Sequence, residues 1–258
     1  MYFAFLGTSG AIPSLVRDTT SLVFVGREDI LLVDCGGSPV QKLLAAGVSP
    51  LELSHVVITH IHPDHAYGLP ALVQNLILLG RTVPLPLFCR AEHVEPLTEL
   101  LRVFRLWERP GMFSLPIRGI PPTEGVEVLR SPSFRVSASP NAHGSMPNLA
   151  VRVEVPEREM AVVYSSDTEP CDSVVRLAAG AHTLIHEATF PTRDRGRFGA
   201  HSTGAEAGQI AAKAGVRRLI LTHIEAAYHG ELPALADEAR AHFNGPVEIA
   251  EEFRPYPL

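Results

Sequence analysis

The segment Thr59-His60-Ile61-His62-Pro63-Asp64-His65 constrains this chain more than any other, because it sets four metal-ligand side chains within six positions. It follows the apolar run His55 to Ile58, which reads as a short strand. The cluster therefore stands at a strand's carboxyl end, where functional groups are commonly presented. His60 and His62 are two apart, and an extended backbone points such side chains the same way. Pro63 then bends the chain, which can turn Asp64 and His65 towards a second centre. Imidazoles with one carboxylate suit Zn²⁺, and Mn²⁺ or Fe²⁺ accept the same donors. The bland alternative is a polar surface loop before a helix, and the density of ligand-type residues weighs against it.

The flanking pattern predicts an α/β chain. Strands are expected over Tyr2 to Leu6, closed by Gly7-Thr8-Ser9-Gly10, then over Ser21 to Val25 and Ile30 to Val33. Helices are expected near Pro39 to Ala46 and Leu69 to Leu79, followed by strand Leu85 to Phe88 and helix Glu92 to Arg105. A Pro-rich crossing from Pro110 to Pro122 separates these from strands over Val126 to Leu129, Phe134 to Ala138, Ala150 to Val155 and Ala161 to Tyr164. Alternation resumes with helix Asp172 to Ala179, strand Thr183 to Ile185 and helix Thr203 to Ala214. Strand Arg218 to Leu221 and helix Pro233 to His242 close the series. Strands followed by alternating strand and helix, twice over, predict two similar halves joined near 106–122. We read these as one domain over 1–258, a four-layer helix-sheet-sheet-helix sandwich.

Composition narrows the partners. Formal net charge is -6 with pI near 6.0, which argues against a tightly held polyanion, although a local basic cluster can coexist with an acidic whole. No apolar run reaches membrane-spanning length and no secretory signal opens the chain, so no membrane partner is expected. Cys35, Cys89 and Cys171 are scattered, form no CxxC pair and fit a reducing cytoplasm.

Three more ligand-type residues stand at the carboxyl ends of expected strands: His143 in Asn141-Ala142-His143-Gly144, Asp167 in Ser165-Ser166-Asp167-Thr168, and His223 after Leu221-Thr222. In this order, with the HxHxDH cluster, the chain resembles the metallo-β-lactamase superfamily. The resemblance implies that His60, His62 and His143 bind one metal, that Asp64, His65 and His223 bind another, and that Asp167 bridges both. Two such ions, about 3.5–4 Å apart, share a hydroxide, because a metal lowers the pKa of bound water towards roughly 7. They also neutralise charge on a phosphoryl or carbonyl oxygen, and Asp64 can accept a proton from the water. Asp34, in Val33-Asp34-Cys35-Gly36, matches an aspartate that orients a ligand, with a turn-forming aspartate as the alternative.

His186-Glu187-Ala188-Thr189-Phe190 and His201-Ser202-Thr203 look like the paired motifs of the RNase Z branch, as do Tyr67-Gly68-Leu69-Pro70 and Tyr228-His229-Gly230. There the histidine matching His201 protonates the leaving oxygen and the glutamate matching Glu187 holds that imidazole. Ser202 or Thr203 can cap the following helix. The chain departs from the branch in three places. Between His143 and Asp167 it carries only two strands and a turn through Pro156-Glu157-Arg158, where bacterial RNase Z has a long tRNA-gripping arm. Leu15 and Asp18 stand where that branch has lysine and asparagine, and Pro63 replaces its glycine.

Arg17, Arg193, Arg195 and Arg197 can meet an anionic substrate, with a solvated turn as the alternative for the last three. His55, His93, His182, His229 and His242 match no motif and read as structural or solvent-facing. The expected function is a binuclear, zinc-dependent phosphodiesterase or endoribonuclease acting on RNA, including tRNA 3′ ends, or on a smaller phosphodiester. A hydrolase of small esters, such as an aryl sulfate or lactone, is the alternative on the same site. A binding protein without turnover is a third reading, and homodimer formation is left open.

Overall fold

The computed structural model describes residues 1–197 and 199–258, which form two seven-stranded sheets with helices outside them. The first sheet contains β1 (Tyr2–Gly7), β2 (Ser21–Val25), β3 (Ile30–Val33), β4 (His55–Ile58), β5 (Leu87–Arg90) and β6 (Ile117–Ile120). The second contains β7 (Val126–Arg130), β8 (Arg135–Pro140), β9 (Leu149–Val155), β10 (Met160–Tyr164), β11 (Thr183–Glu187), β12 (Arg218–Thr222) and β13 (Val247–Ile249). The last strand, β14 (Tyr256–Pro257), returns to pair with β1. Each sheet runs through three antiparallel pairs and then three parallel ones. The two sheets thus repeat one topology.

Helices α1 (Pro39–Ala45), α2 (Pro63–Ala66), α3 (Leu69–Leu78) and α4 (Val94–Val103) belong to the first half. Helices α5 (Asp172–Ala178), α6 (Gly204–Ala214) and α7 (Leu232–Arg240) belong to the second. Strand alternation divides the core into three layers. Leu32, Val56 and Ile58 face Leu43, Leu72 and Leu101 of the first helical layer. Phe5, Val57, Val153 and Ile185 fill the space between the sheets, and Leu184 and Leu221 pack on Val174, Ile210 and Leu235. The result is the expected four-layer αββα sandwich.

Thr203 caps α6 and forms a capping box with Glu206, while α6 packs so closely on α7 that a Cβ on Gly208 would lie 2.4 Å from the Ala239 carbonyl oxygen. This fixes the start of α6, and with it the preceding His201-Ser202. The Pro-rich crossing is shorter than expected. Ile117-Arg118-Gly119-Ile120 pairs with β5 as an edge strand, which tolerates flanking prolines, and the chain changes sheet between Ile120 and Val126. Glu92 lies in a 3₁₀ turn before α4 rather than within it. Strands β13 and β14 are too short to leave a periodic signal. No helix among the described residues is long and apolar enough to cross a membrane.

Candidate metal centre

The parallel strands β4, β11 and β12 end at one rim, and the site is assembled there. After β4 the chain leaves the strand at Thr59-His60, and Pro63 starts the single-turn helix α2, which carries Asp64 and His65. His143, Asp167 and His223 follow β8, β10 and β12. His60, His65, His143, Asp167 and His223 are almost wholly buried.

Their donor atoms converge. His62 Nδ1 lies 3.0 Å from both His60 Nε2 and His143 Nε2. Asp167 Oδ2 is the hub, 3.2 Å from His223 Nε2, 3.3 Å from His65 Nε2, 3.7 Å from His60 Nε2 and 3.9 Å from His143 Nε2. Asp64 Oδ2 lies 3.4 Å from both His65 Nε2 and His223 Nε2. Two ligand sets share Asp167: His60, His62, His143 and Asp167, and Asp64, His65, Asp167 and His223; a third group, Glu187, His201 and His223, also brings its donor atoms within 4.8 Å of one another. All seven expected ligands are therefore brought together, in the expected division.

Outer hydrogen bonds orient the donors. Nδ1 of His65 donates to Asp34 Oδ2 at 2.8 Å, and Nδ1 of His143 to the Ala200 carbonyl at 2.9 Å, so each ring points its Nε2 inwards and offers a lone pair there when neutral. Two of the inward atoms, His65 Nε2 and Asp167 Oδ1, are buried without any hydrogen-bond partner. Buried polar atoms of this kind need a partner, and a divalent cation among imidazoles and carboxylates supplies one. Burial lowers the pKa values of His60, His62 and His143 and keeps them neutral as metal ligands must be. Burial also opposes charge on His65 and His223, but Asp167 outweighs it, with Asp34 at His65 and Asp64 at His223, so both are raised. The same carboxylates would attract a metal in the proton's place. Burial disfavours the Asp64 anion, yet His223 and His65 hold its carboxyl far below the usual range, which suits a ligand better than a base.

Asp34 accepts from the Thr59 N–H at 2.8 Å and the Thr59 hydroxyl at 2.9 Å, besides His65. It thus ties the His65 ring to the end of β4 at Thr59. Behind the second metal set, Glu187 Oε1 lies 2.9 Å from His201 Nδ1. The His201 ring centroid is 4.9 Å from that of His143 and 5.4 Å from that of His223. Burial works against a charged His201, but Glu187 prevails and raises the imidazole to about 9.

Three findings lay outside the sequence reading. Thr189 Oγ1 donates to Glu187 Oε2 at 2.8 Å and sits 3.0 Å from His223 Nδ1, joining the acid pair to the metal set. Its position in the Glu187 motif was the available signal. Asn148 and Asn141 hold the Asp167 carbonyl at 2.8 and 3.1 Å, and nothing in their sequence context marks that role. Asp34, Ser166, Ala200 and His223 all have positive φ (63°, 53°, 64° and 54°), so the rim carries left-handed non-glycine residues.

The four arginines considered for substrate contact all have partners within the chain. Arg17 donates to Thr8 Oγ1 at 2.7 Å and to the Ala250 carbonyl at 3.1 Å. Arg193 pairs with Glu231 at 2.8 Å and Arg197 lies 3.9 Å from Asp194. Arg195 bridges Glu206 and the His201 carbonyl at 3.0 and 2.9 Å. Asp18 pairs with the buried Lys42 at 2.9 Å, so its charge is used inside the fold rather than against a substrate. Leu15 is fully exposed. His93 and His229 face backbone carbonyls of Pro147 and Ile224, in keeping with structural roles.

The sequence profile of the Beta-lactamase superfamily domain matches residues 30–224. The Ribonuclease Z of Methanothermobacter thermautotrophicus is 32% identical, over 88% of this chain and 88% of that protein. The chain belongs to the beta-lactamase superfamily, in its Ribonuclease Z-like branch. The Ribonuclease Z of Gemmatimonas aurantiaca is 30% identical over 93% of this chain and 90% of its own. Among solved structures, the metallo-beta-lactamase fold protein YhfI of Bacillus subtilis superposes with a TM-score of 0.82 at 26% identity, covering 99% and 98% of the two chains. The short form of human tRNase Z superposes at 0.83 with 23% identity and full coverage of both, which supports the fold. This member of the superfamily is a metal-dependent hydrolase, and its His–Asp cluster is a divalent-metal site.

Proposed function

We propose that this chain, working as one domain over residues 1–258 in a cytoplasm, cleaves RNA phosphodiesters at the 3′ side of precursor tRNA. Two zinc ions would be held, one by His60, His62 and His143 and one by Asp64, His65 and His223, with Asp167 common to both. Mn²⁺ and Fe²⁺ suit the same donors. When bound, such ions polarise the phosphoryl group and make water nucleophilic at neutral pH.

The observation that carries the reading is the His201–Glu187 contact of 2.9 Å, set beside the metal-ligand rings of His143 and His223. Glu187 is fully buried and takes the Thr168 N–H at 2.9 Å as well, so it cannot follow a moving imidazole and instead fixes it. With Nδ1 engaged, His201 meets the substrate through Nε2 and gives its proton to the leaving alkoxide. That assistance matters for an RNA ester, whose leaving group is poor, and hardly at all for an activated aryl ester. Relatives named Ribonuclease Z support the RNA substrate.

One observation favours a second reading, hydrolysis of a smaller ester. The link from β9 to β10 is a tight turn over Pro156–Arg158, so nothing projects there to grip a large RNA. The deciding experiment is a parallel assay of the zinc-loaded protein on precursor tRNA, an aryl phosphodiester and an aryl sulfate. Cleavage of the precursor is expected. Turnover of the aryl sulfate with the precursor left intact would overturn the proposal, and protein that retains no metal would sink both enzymatic readings. Gel filtration of the same preparation reads the homodimer expectation.

A further inference from the structure

Ala200 is a non-glycine residue at φ 64° with no side-chain donor for a metal and no proton to transfer, yet both of its peptide groups are engaged by the site. Its carbonyl receives His143 Nδ1 at 2.9 Å. Its N–H donates to Glu169 Oε1 at 3.2 Å. Glu169 in turn donates its own N–H to the Ala142 carbonyl at 2.7 Å, beside His143, and lies two residues from Asp167. The residue after Ala200 is His201, whose carbonyl takes Arg195 Nη1 at 2.9 Å while Arg195 Nη2 holds Glu206 at the start of α6. Ser202 Oγ donates to the Thr168 carbonyl at 2.6 Å.

A left-handed residue of this kind persists only where its surroundings over-determine it. Here the surroundings are Glu169 on the N–H side and, on the carbonyl side, one metal-ligand ring and the acid-bearing segment. If the 199–200 or 200–201 peptide turns, the His143 ring and the His201 ring turn with it. We propose that Ala200, held by Glu169, is a positioning residue that sets the His143 ligand and the His201 acid together, so that metal retention and leaving-group protonation vary as one. This rests on the reading of His143 as ligand and His201 as acid.

The test uses zinc-loaded enzyme and two readouts. One is zinc affinity, by competition with a chromophoric chelator. The other is the ratio of kcat/KM between an alkyl and a nitrophenyl phosphodiester, which isolates leaving-group protonation. Glu169→Ala is expected to weaken zinc binding by about tenfold, the lower end for outer partners of a ligand histidine. The same variant should lower the alkyl-to-nitrophenyl ratio by a similar factor. Glu169→Gln keeps an acceptor for the Ala200 N–H and should restore both. Ala200→Gly keeps both peptide groups in a conformation glycine adopts freely and should also hold both. Ala200→Val should behave like Glu169→Ala; should it fail to fold, the two Glu169 variants decide alone. The proposal is overturned if Glu169→Ala changes one readout without the other, changes neither, or is not rescued by Glu169→Gln at an unchanged thermal midpoint. The underlying reading fails differently: His201→Ala would lose equally on both esters, or His143→Ala would keep full zinc affinity.

Discussion

From the first sheet, four donors reach the centre in one segment running from the end of β4 into α2, whereas the second sends His143, Asp167 and His223 singly from three strand ends. The frames behind them are nevertheless alike. Asp34 follows β3 and Ser166 follows β10, the strands at which each sheet changes from antiparallel to parallel pairing, and both are left-handed. Thr59 joins the two, its hydroxyl 2.9 Å from Asp34 Oδ2 and accepting from Ser166 Oγ at 2.8 Å. One half therefore fixes its ligands through local chain geometry. The other relies on tertiary contacts that bring distant segments together, so perturbation should expose the second half first.

Metal removal is the largest perturbation. Chelation should abolish activity, with recovery on adding zinc, and should lower the thermal midpoint by roughly 10 °C if metal is held at about a thousandfold above its dissociation constant. Hydrogen exchange of the stripped protein sharpens the comparison: amides near 165–168 and 200–203 should open before those near 59–66. The reverse order would mean that the contiguous turn, not the scattered strand ends, needs the metal for its shape.

Asp167→Ala removes the one atom that both metal sets share. Activity on an aryl phosphodiester should fall on the order of 10³-fold or more, and metal analysis should show loss from both sets. Retention of one full metal equivalent with activity within tenfold of the parent would break the account of Asp167 Oδ2 as the common hub.

His201→Ala comes next. It should cost about 10²–10⁴-fold on an alkyl phosphodiester or precursor tRNA, and little on a nitrophenyl ester. The measurement is kcat/KM against leaving-group pKa, which should steepen in the variant. A slope unchanged from the parent would remove the acid assignment while leaving the metal set intact.

The contrast between the halves also explains what the sequence could reveal. The His60–His65 run is legible because ligand spacing and strand end coincide within a few residues. His143, Asp167 and His223 become legible only beside that run, since a lone histidine after a strand is more often structural. Thr189, Asn148 and the Ala200 peptide act through backbone and hydroxyl groups whose partners lie far away in sequence, so no spacing encodes them. The αββα layering followed from strand and helix periodicity. The β6 edge strand was hidden by flanking prolines, and β14 by its length of two residues. Charge carries little positional information: Arg17 and Asp18 pair within the chain, and Arg193, Arg195 and Arg197 stay partly exposed while paired.

Asp34→Asn should weaken metal binding by about 10–100-fold, as expected for loss of a carboxylate behind a ligand histidine. Chelator competition checks it, and the loss should fall on the set containing His65. Equal weakening of both sets would mean that Asp34 supports the rim as a whole through Thr59 and Ser166.

The smallest effect should come from Arg193→Ala. Its guanidinium is about half exposed, pairs with Glu231 at 2.8 Å and lies 5.8 Å from the Tyr228 ring centroid. Exposed pairs of this kind contribute under about 1 kcal/mol, so stability should move little and kcat/KM on an aryl phosphodiester should hold. A small substrate cannot reach beyond the metal rim, but precursor tRNA can, and its backbone would draw the guanidinium away from Glu231. A KM that rises for precursor tRNA alone, more steeply at low salt, would return this loop to the substrate role read from sequence. It would also give the second half an RNA contact that the short β9–β10 turn does not provide.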